Sequence, residues 1–181
     1  LQIKTSGGLA QVQCTSGTVY LDEVDVQGNG SKNANAVRAS SCKTVARRSK
    51  FRSNVGGLLI DKGELWMENS YVVDNGTVAA AFGAFKFIGD PKATITYSTI
   101  VKHRQTTSSS TFNCSGGNTN LVIRNSAIVG LTPTVAGCTF PMDMMMVPML
   151  PGTKYHQAAS VAEMDSVLGQ TLKDIEIVTV N

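Results

Sequence analysis

Charge is scarce in this 181-residue chain: 16% of residues are Asp, Glu, Lys or Arg, and the net charge is only +3. Alongside this stands an ordinary apolar content of 42%, so the chain is not a disordered acidic or basic tail. A nucleic-acid binder carries a larger and clustered positive excess, so nucleic acid is excluded as an expected partner. No apolar run reaches the roughly 18 residues needed for a membrane-spanning helix. The four cysteines, Cys14, Cys42, Cys114 and Cys138, form no Cys-x-x-Cys pair, and no histidine lies at zinc-finger spacing. No metal site and no resident cofactor are expected on these grounds. The chain begins at Leu1 without Met, signal peptide or charged leader, which reads as a processed chain or part of a larger parent chain.

Gly, Ser, Thr and Asn make up about a third of the residues, a composition of strands and turns. An eleven-residue pattern recurs five times: VYLDEVDVQGN from Val19, TVARRSKFRSN from Thr44, LWMENSYVVDN from Leu65, ATITYSTIVKH from Ala93 and LVIRNSAIVGL from Leu121. The spacings are 25, 21, 28 and 28 residues. A short strand-like segment precedes each copy, at 11–14, 36–40, 57–61, 85–88 and 111–115. Column one (Val19, Thr44, Leu65, Ala93, Leu121), column three (Leu21, Ala46, Met67, Ile95, Ile123) and column eight (Val26, Phe51, Val72, Ile100, Ile128) alternate with mixed columns, the period of a strand with one buried face. Column six is Val24 followed by Ser49, Ser70, Ser98 and Ser126, which reads as a stacked serine ladder near a corner. Column five holds Asn69 and Asn125, and Asn tolerates the left-handed backbone of a tight corner.

One such unit cannot bury its own apolar face, whereas stacked units can, at about 4.8 Å per step. Three strands per unit predict an all-β parallel β-helix of five to six turns over residues 1–140. Residues 141–181, with Pro141, Pro148 and Pro151 and a Met-rich stretch, are expected to form an irregular cap or clasp containing one short helix after Ser160. The phrases LWMENSYVVDNG and LVIRNSAIVG resemble the repeat of the pectate-lyase-like superfamily of parallel β-helices, in which an Asn-Ser corner joins two short strands. That resemblance covers roughly residues 9–140 and implies a right-handed coil. It does not select a function, because the same repeat serves lyases, hydrolases, adhesins and other proteins.

Stacking also constrains the cysteines. Cys14 and Cys114 lie four steps apart, about 19 Å, too far for a bond. Cys138 falls one step above Cys114, and Cys14 and Cys42 occupy adjacent units about three residues out of register. The expected disulfides are therefore Cys114–Cys138 and Cys14–Cys42. An even cysteine count in such a chain fits a secreted or cell-surface location.

Outward columns supply the candidate sites. Column two contains Tyr20, Val45, Trp66, Thr94 and Val122, and column nine contains Gln27, Arg52, Val73, Val101 and Val129. These apolar stripes are expected to be covered by the C-terminal segment or loops; left exposed, Tyr20 and Trp66 would suit stacking against a sugar ring or a homo-oligomer surface. Column four, with Asp22, Arg47, Glu68, Thr96 and Arg124, reads as a solvated charge ladder, and the basic run Arg47, Arg48, Lys50 and Arg52 as a face balanced by nearby acids. His103, beside Lys102 and Arg104, reads as solvated. Arg38, Asp61, Lys86 and Asp90 are the candidates for a catalytic groove, which for a lyase would bind Ca²⁺. The expectation is an extracytoplasmic surface or carbohydrate-binding module with polysaccharide as its partner. The alternatives are a polysaccharide lyase or glycoside hydrolase of this fold, and a structural, oligomerising solenoid.

Overall fold

The computed structural model describes residues 1–3, 10–28, 34–77, 82–101, 103, 110–115, 120–131, 135–138 and 154–158. Among the described residues there are strands and turns and no helix. The strands form three parallel sheets. The leading sheet contains β2 (Ala10–Cys14), β5 (Asn35–Ser40), β8 (Gly56–Asp61), β11 (Phe82–Ile88), β14 (Ser110–Ser115) and β17 (Val135–Ala136). The middle sheet contains β3 (Gly17–Asp22), β6 (Cys42–Arg47), β9 (Glu64–Glu68), β12 (Lys92–Thr96) and β15 (Asn120–Arg124). The trailing sheet contains β1 (Gln2–Ile3), β4 (Asp25–Gln27), β7 (Lys50–Arg52), β10 (Tyr71–Val73), β13 (Thr99–Val101), β16 (Ala127–Leu131) and β18 (Lys154–Ala158).

Each strand pairs with its counterpart in the next unit, so the chain is a β-solenoid. It makes about four turns where five to six were expected. The reason is geometric: the five strands of the middle sheet enclose four complete rises, and the end units contribute only part of a turn. The expected helix after Ser160 and the Met-rich stretch lie outside the described residues. Lys154–Ala158, within the segment read as a cap, pairs in parallel with β16.

The repeat columns become vertical rows. Val19, Thr44, Leu65, Ala93 and Leu121 stand in register, as do Leu21, Ala46, Met67, Ile95 and Ile123. The second row is buried along its whole length. In the leading sheet, Val37, Leu58, Phe85 and Phe112 form another inward row, with Phe85 and Phe112 stacked at 5.2 Å between ring centroids. The next inward row begins at Cys14, passes through Ala39, Ile60 and Phe87, and ends at Cys114. The cysteines at its two ends form the disulfides Cys14–Cys42 and Cys114–Cys138, with Cα separations of 6.2 and 4.8 Å.

Two polar ladders turn the corners. At the corner from middle to trailing sheet, all five residues of column five adopt positive φ: Glu23, Arg48, Asn69, Tyr97 and Asn125. The buried serine after each of the last four is held by a recurring pair of bonds, to which Ser49 adds a contact from its Oγ to the Leu21 carbonyl at 3.0 Å. Its hydroxyl donates to the carbonyl two residues back, at 2.7 Å for Ser49 and 2.8 Å for Ser70, Ser98 and Ser126. Its Oγ accepts the N–H of the equivalent residue in the preceding turn, from Val24 to Ser49 at 3.2 Å, Ser49 to Ser70 at 3.1 Å, Ser70 to Ser98 at 3.3 Å and Ser98 to Ser126 at 3.1 Å.

The second ladder lies at the corner from trailing to leading sheet. Ser53 and Asp74 take the left-handed conformation there, and Asn54 and Asn75 follow them, both buried. Asn54 Nδ2 donates to Asn75 Oδ1 at 2.9 Å and Asn75 Nδ2 donates to the Phe51 carbonyl at 2.8 Å. His103 occupies the equivalent place one turn on and has no solvent exposure. The expectation of a solvated histidine is overturned: at this position the histidine is buried as Asn54 and Asn75 are.

Candidate functional site

The outer face of the middle sheet presents three rows of side chains. The central row is Tyr20, Val45, Trp66, Thr94 and Val122, in register across β3, β6, β9, β12 and β15. Outward projection follows from strand alternation, because columns one and three on either side point into the core. Tyr20 is 72% exposed and Trp66 is 42% exposed. Val45 stands between them and is only 7% exposed, so the two rings flank a filled position and not a gap. Tyr97, at the corner beside this face, and Tyr71, at the start of β10, are also exposed.

Ion pairs dominate the flanking rows. Lys43 Nζ lies 3.4 Å from Glu64 Oε2 on one side of the aromatic row, and Arg47 Nε lies 3.6 Å from Glu68 Oε2 on the other. Arg48 reaches Asp22 at 2.7 Å and Glu23 at 3.1 Å. Arg52 donates two hydrogen bonds to the Asp25 carboxylate, at 2.9 and 2.7 Å. Those bonds hold the Asp25 carboxyl below the usual carboxylate range, against the opposing effect of partial burial. Three of the four members of the basic run, Arg47, Arg48 and Arg52, are therefore matched by acids on adjacent turns.

The candidate catalytic residues belong to a different face. Arg38 and Lys86 project from the leading sheet in one row with Leu59 between them. Two strand steps separate them, about 9.6 Å. Asp61 ends β8, in register with Ser40 and Ile88. Asp90 lies in the corner before β12 with a φ of 58°. Among the described residues no ion pair joins any two of the four, and no group of three or more His, Cys, Asp and Glu side chains is gathered as metal ligands would be.

Not all of the outward apolar stripe is exposed. Val101 and Val129 of column nine are buried, as is Val45 of column two. Burial drives the His103 pKa down to about 4, with backbone groups of Asn75 and Val72 partly opposing the shift. Neither ring nitrogen completes a hydrogen bond among the described residues. The asparagine–histidine ladder has a sequence signal that the apolar columns overshadow: column eleven reads Asn29, Asn54, Asn75, His103 and Leu131. Among the described residues no helix is long and apolar enough to cross a membrane. Compared with known proteins, the chain matches no family model, no curated protein and no solved structure.

Proposed function

We propose that this chain is an extracytoplasmic β-helical module that binds carbohydrate at its surface without cleaving it, built on the architecture of the pectate-lyase-like proteins. The observation that carries the reading is the pair of exposed aromatic residues in one row of the middle sheet, Tyr20 and Trp66, on the outer face of parallel strands. An aromatic face presents apolar area to the C–H side of a pyranose ring while its polar edge stays wet. Two disulfides suit an oxidising compartment, where such a surface meets polysaccharides. Arg38 and Lys86, separated by Leu59, with Asp61 displaced along the strand, do not form a pair of carboxylates facing each other across a bond.

A screen of neutral and acidic polysaccharides, with and without Ca²⁺, tests this reading. Retention of the protein on at least one polymer, without unsaturated products or new reducing ends, is the expected result. Product formation would replace it with the lyase or hydrolase reading and direct mutagenesis to Arg38 and Lys86. No retention on any polymer would leave structural assembly as the role of the exposed face.

A further inference from the structure

We infer that the ligand of the middle-sheet face is a neutral, extended, equatorially linked glycan lying across the strands, parallel to the solenoid axis, with alternate sugars on Tyr20 and Trp66. The inference rests on the carbohydrate reading and adds the ligand class and direction. Its first support is pitch. Tyr20 and Trp66 stand two strand steps apart in one row, about 9.6 Å. An equatorially linked pyranose ribbon advances by close to one strand spacing per sugar and turns each ring over relative to the last. Sugars one and three therefore show the same face at about the separation of the two backbone positions that carry the aromatic side chains. Val45, outward but only 7% exposed, is covered by its surroundings and offers the intervening sugar little contact, so the two aromatic side chains are the contact points.

The second support is charge. Four basic residues (Lys43, Arg47, Lys92, Arg124) and three acidic residues (Asp22, Glu64, Glu68) project from this face. Around the aromatic row, Lys43 is paired with Glu64, Arg47 with Glu68, and Asp22 with Arg48. Those pairs leave a polyanion little positive field beside Tyr20 and Trp66, while Lys92 and Arg124, in no such pair among the described residues, stand on the later strands. The paired groups line both sides of the row with groups that hydrogen-bond sugar hydroxyls. The same polar rows make the face unlike the apolar centre of a protein–protein interface.

Calorimetric titration with cellohexaose, mannohexaose and xylohexaose, their disaccharides, and polygalacturonate separates the outcomes. The inference expects at least one neutral hexasaccharide to bind, with its disaccharide and polygalacturonate much weaker. Tyr20→Ala and Trp66→Ala should each weaken binding by roughly three- to tenfold. The melting temperature should be unchanged in Tyr20→Ala, whose side chain is 72% exposed, and lower in Trp66→Ala, whose side chain is more than half buried, so binding is compared at a temperature where both variants are folded. Val122→Trp places a third ring two steps beyond Trp66 and should strengthen hexasaccharide binding. Thr94→Trp, one step beyond Trp66, should not. Tighter binding of polygalacturonate, or equal gains from Val122→Trp and Thr94→Trp, would overturn the inference while leaving a carbohydrate module. Binding of none of these probes while the polymer screen retains the protein would overturn the inference alone. Failure in both experiments would overturn both readings. Sedimentation showing a dimer dispersed by Tyr20→Ala or Trp66→Ala would assign the face to a second copy of the chain, and so against the glycan.

Discussion

His103 stands where the two preceding turns place Asn54 and Asn75. The asparagines bond along the stack, and Asn75 also bonds back to the turn before. The imidazole fills the same space but is held neutral by burial, its pKa near 4 against an ordinary 6.5. Between those values the unfolded chain binds a proton that the folded chain refuses, so stability falls as pH drops from about 6.5 toward 4. The loss at pH 4.5 should be on the order of 2–3 kcal/mol. Urea unfolding at pH 7 and pH 4.5 should show that loss in the parent and remove most of it in His103→Asn, which restores the side chain of the neighbouring turns. Identical pH dependence in the two proteins would show that His103 titrates freely. Sequence reading missed this residue because Lys102 and Arg104 give it a polar neighbourhood, whereas the corner geometry decides where its side chain goes.

At the scale of the element, the trailing strands β4, β7, β10 and β13 are only three residues long. Strands so short hold their register through what happens at their ends. The serine ladder provides that anchor by joining each N–H to the hydroxyl of the next turn. Ser70→Ala removes the acceptor of the Ser49 N–H and the donor to the Glu68 carbonyl, both in buried or part-buried surroundings. The expected cost is about 1–3 kcal/mol, the price of an unsatisfied buried donor. Denaturant unfolding measures it, and a midpoint unchanged from the parent would show that water replaces the hydroxyl without penalty. This ladder was legible in the sequence because serine recurs at one column. The left-handed corner before it was legible only at Asn69 and Asn125, since nothing in Glu23, Arg48 or Tyr97 announces positive φ. At those positions the stacked strands impose a conformation that the residue itself disfavours.

For the whole molecule, one periodicity connects the core, the disulfides and the candidate ligand surface. The inward columns were readable because burial selects apolar residues at every turn. Of the outward columns, the balance of the basic run by acids on neighbouring turns was readable, because opposite charges recur at matching columns, whereas which members of the apolar stripes are covered, Val45, Val101 and Val129, was not fixed residue by residue. The aromatic pair of the candidate site was legible as a column, because Tyr20 and Trp66 fall at the same place in the repeat, whereas their different exposures were not, because those depend on what packs around each. The strand register is the premise of the platform and can be observed directly in solution. A nuclear Overhauser experiment on isotope-labelled protein should connect the backbone of Val45 to both Tyr20 and Trp66 with the pattern of parallel strands. Those cross-peaks, continued from Trp66 to Thr94 and Val122, are the predicted result. Their absence, or an antiparallel pattern between any of these strands, would contradict the stacked solenoid and the surface built on it.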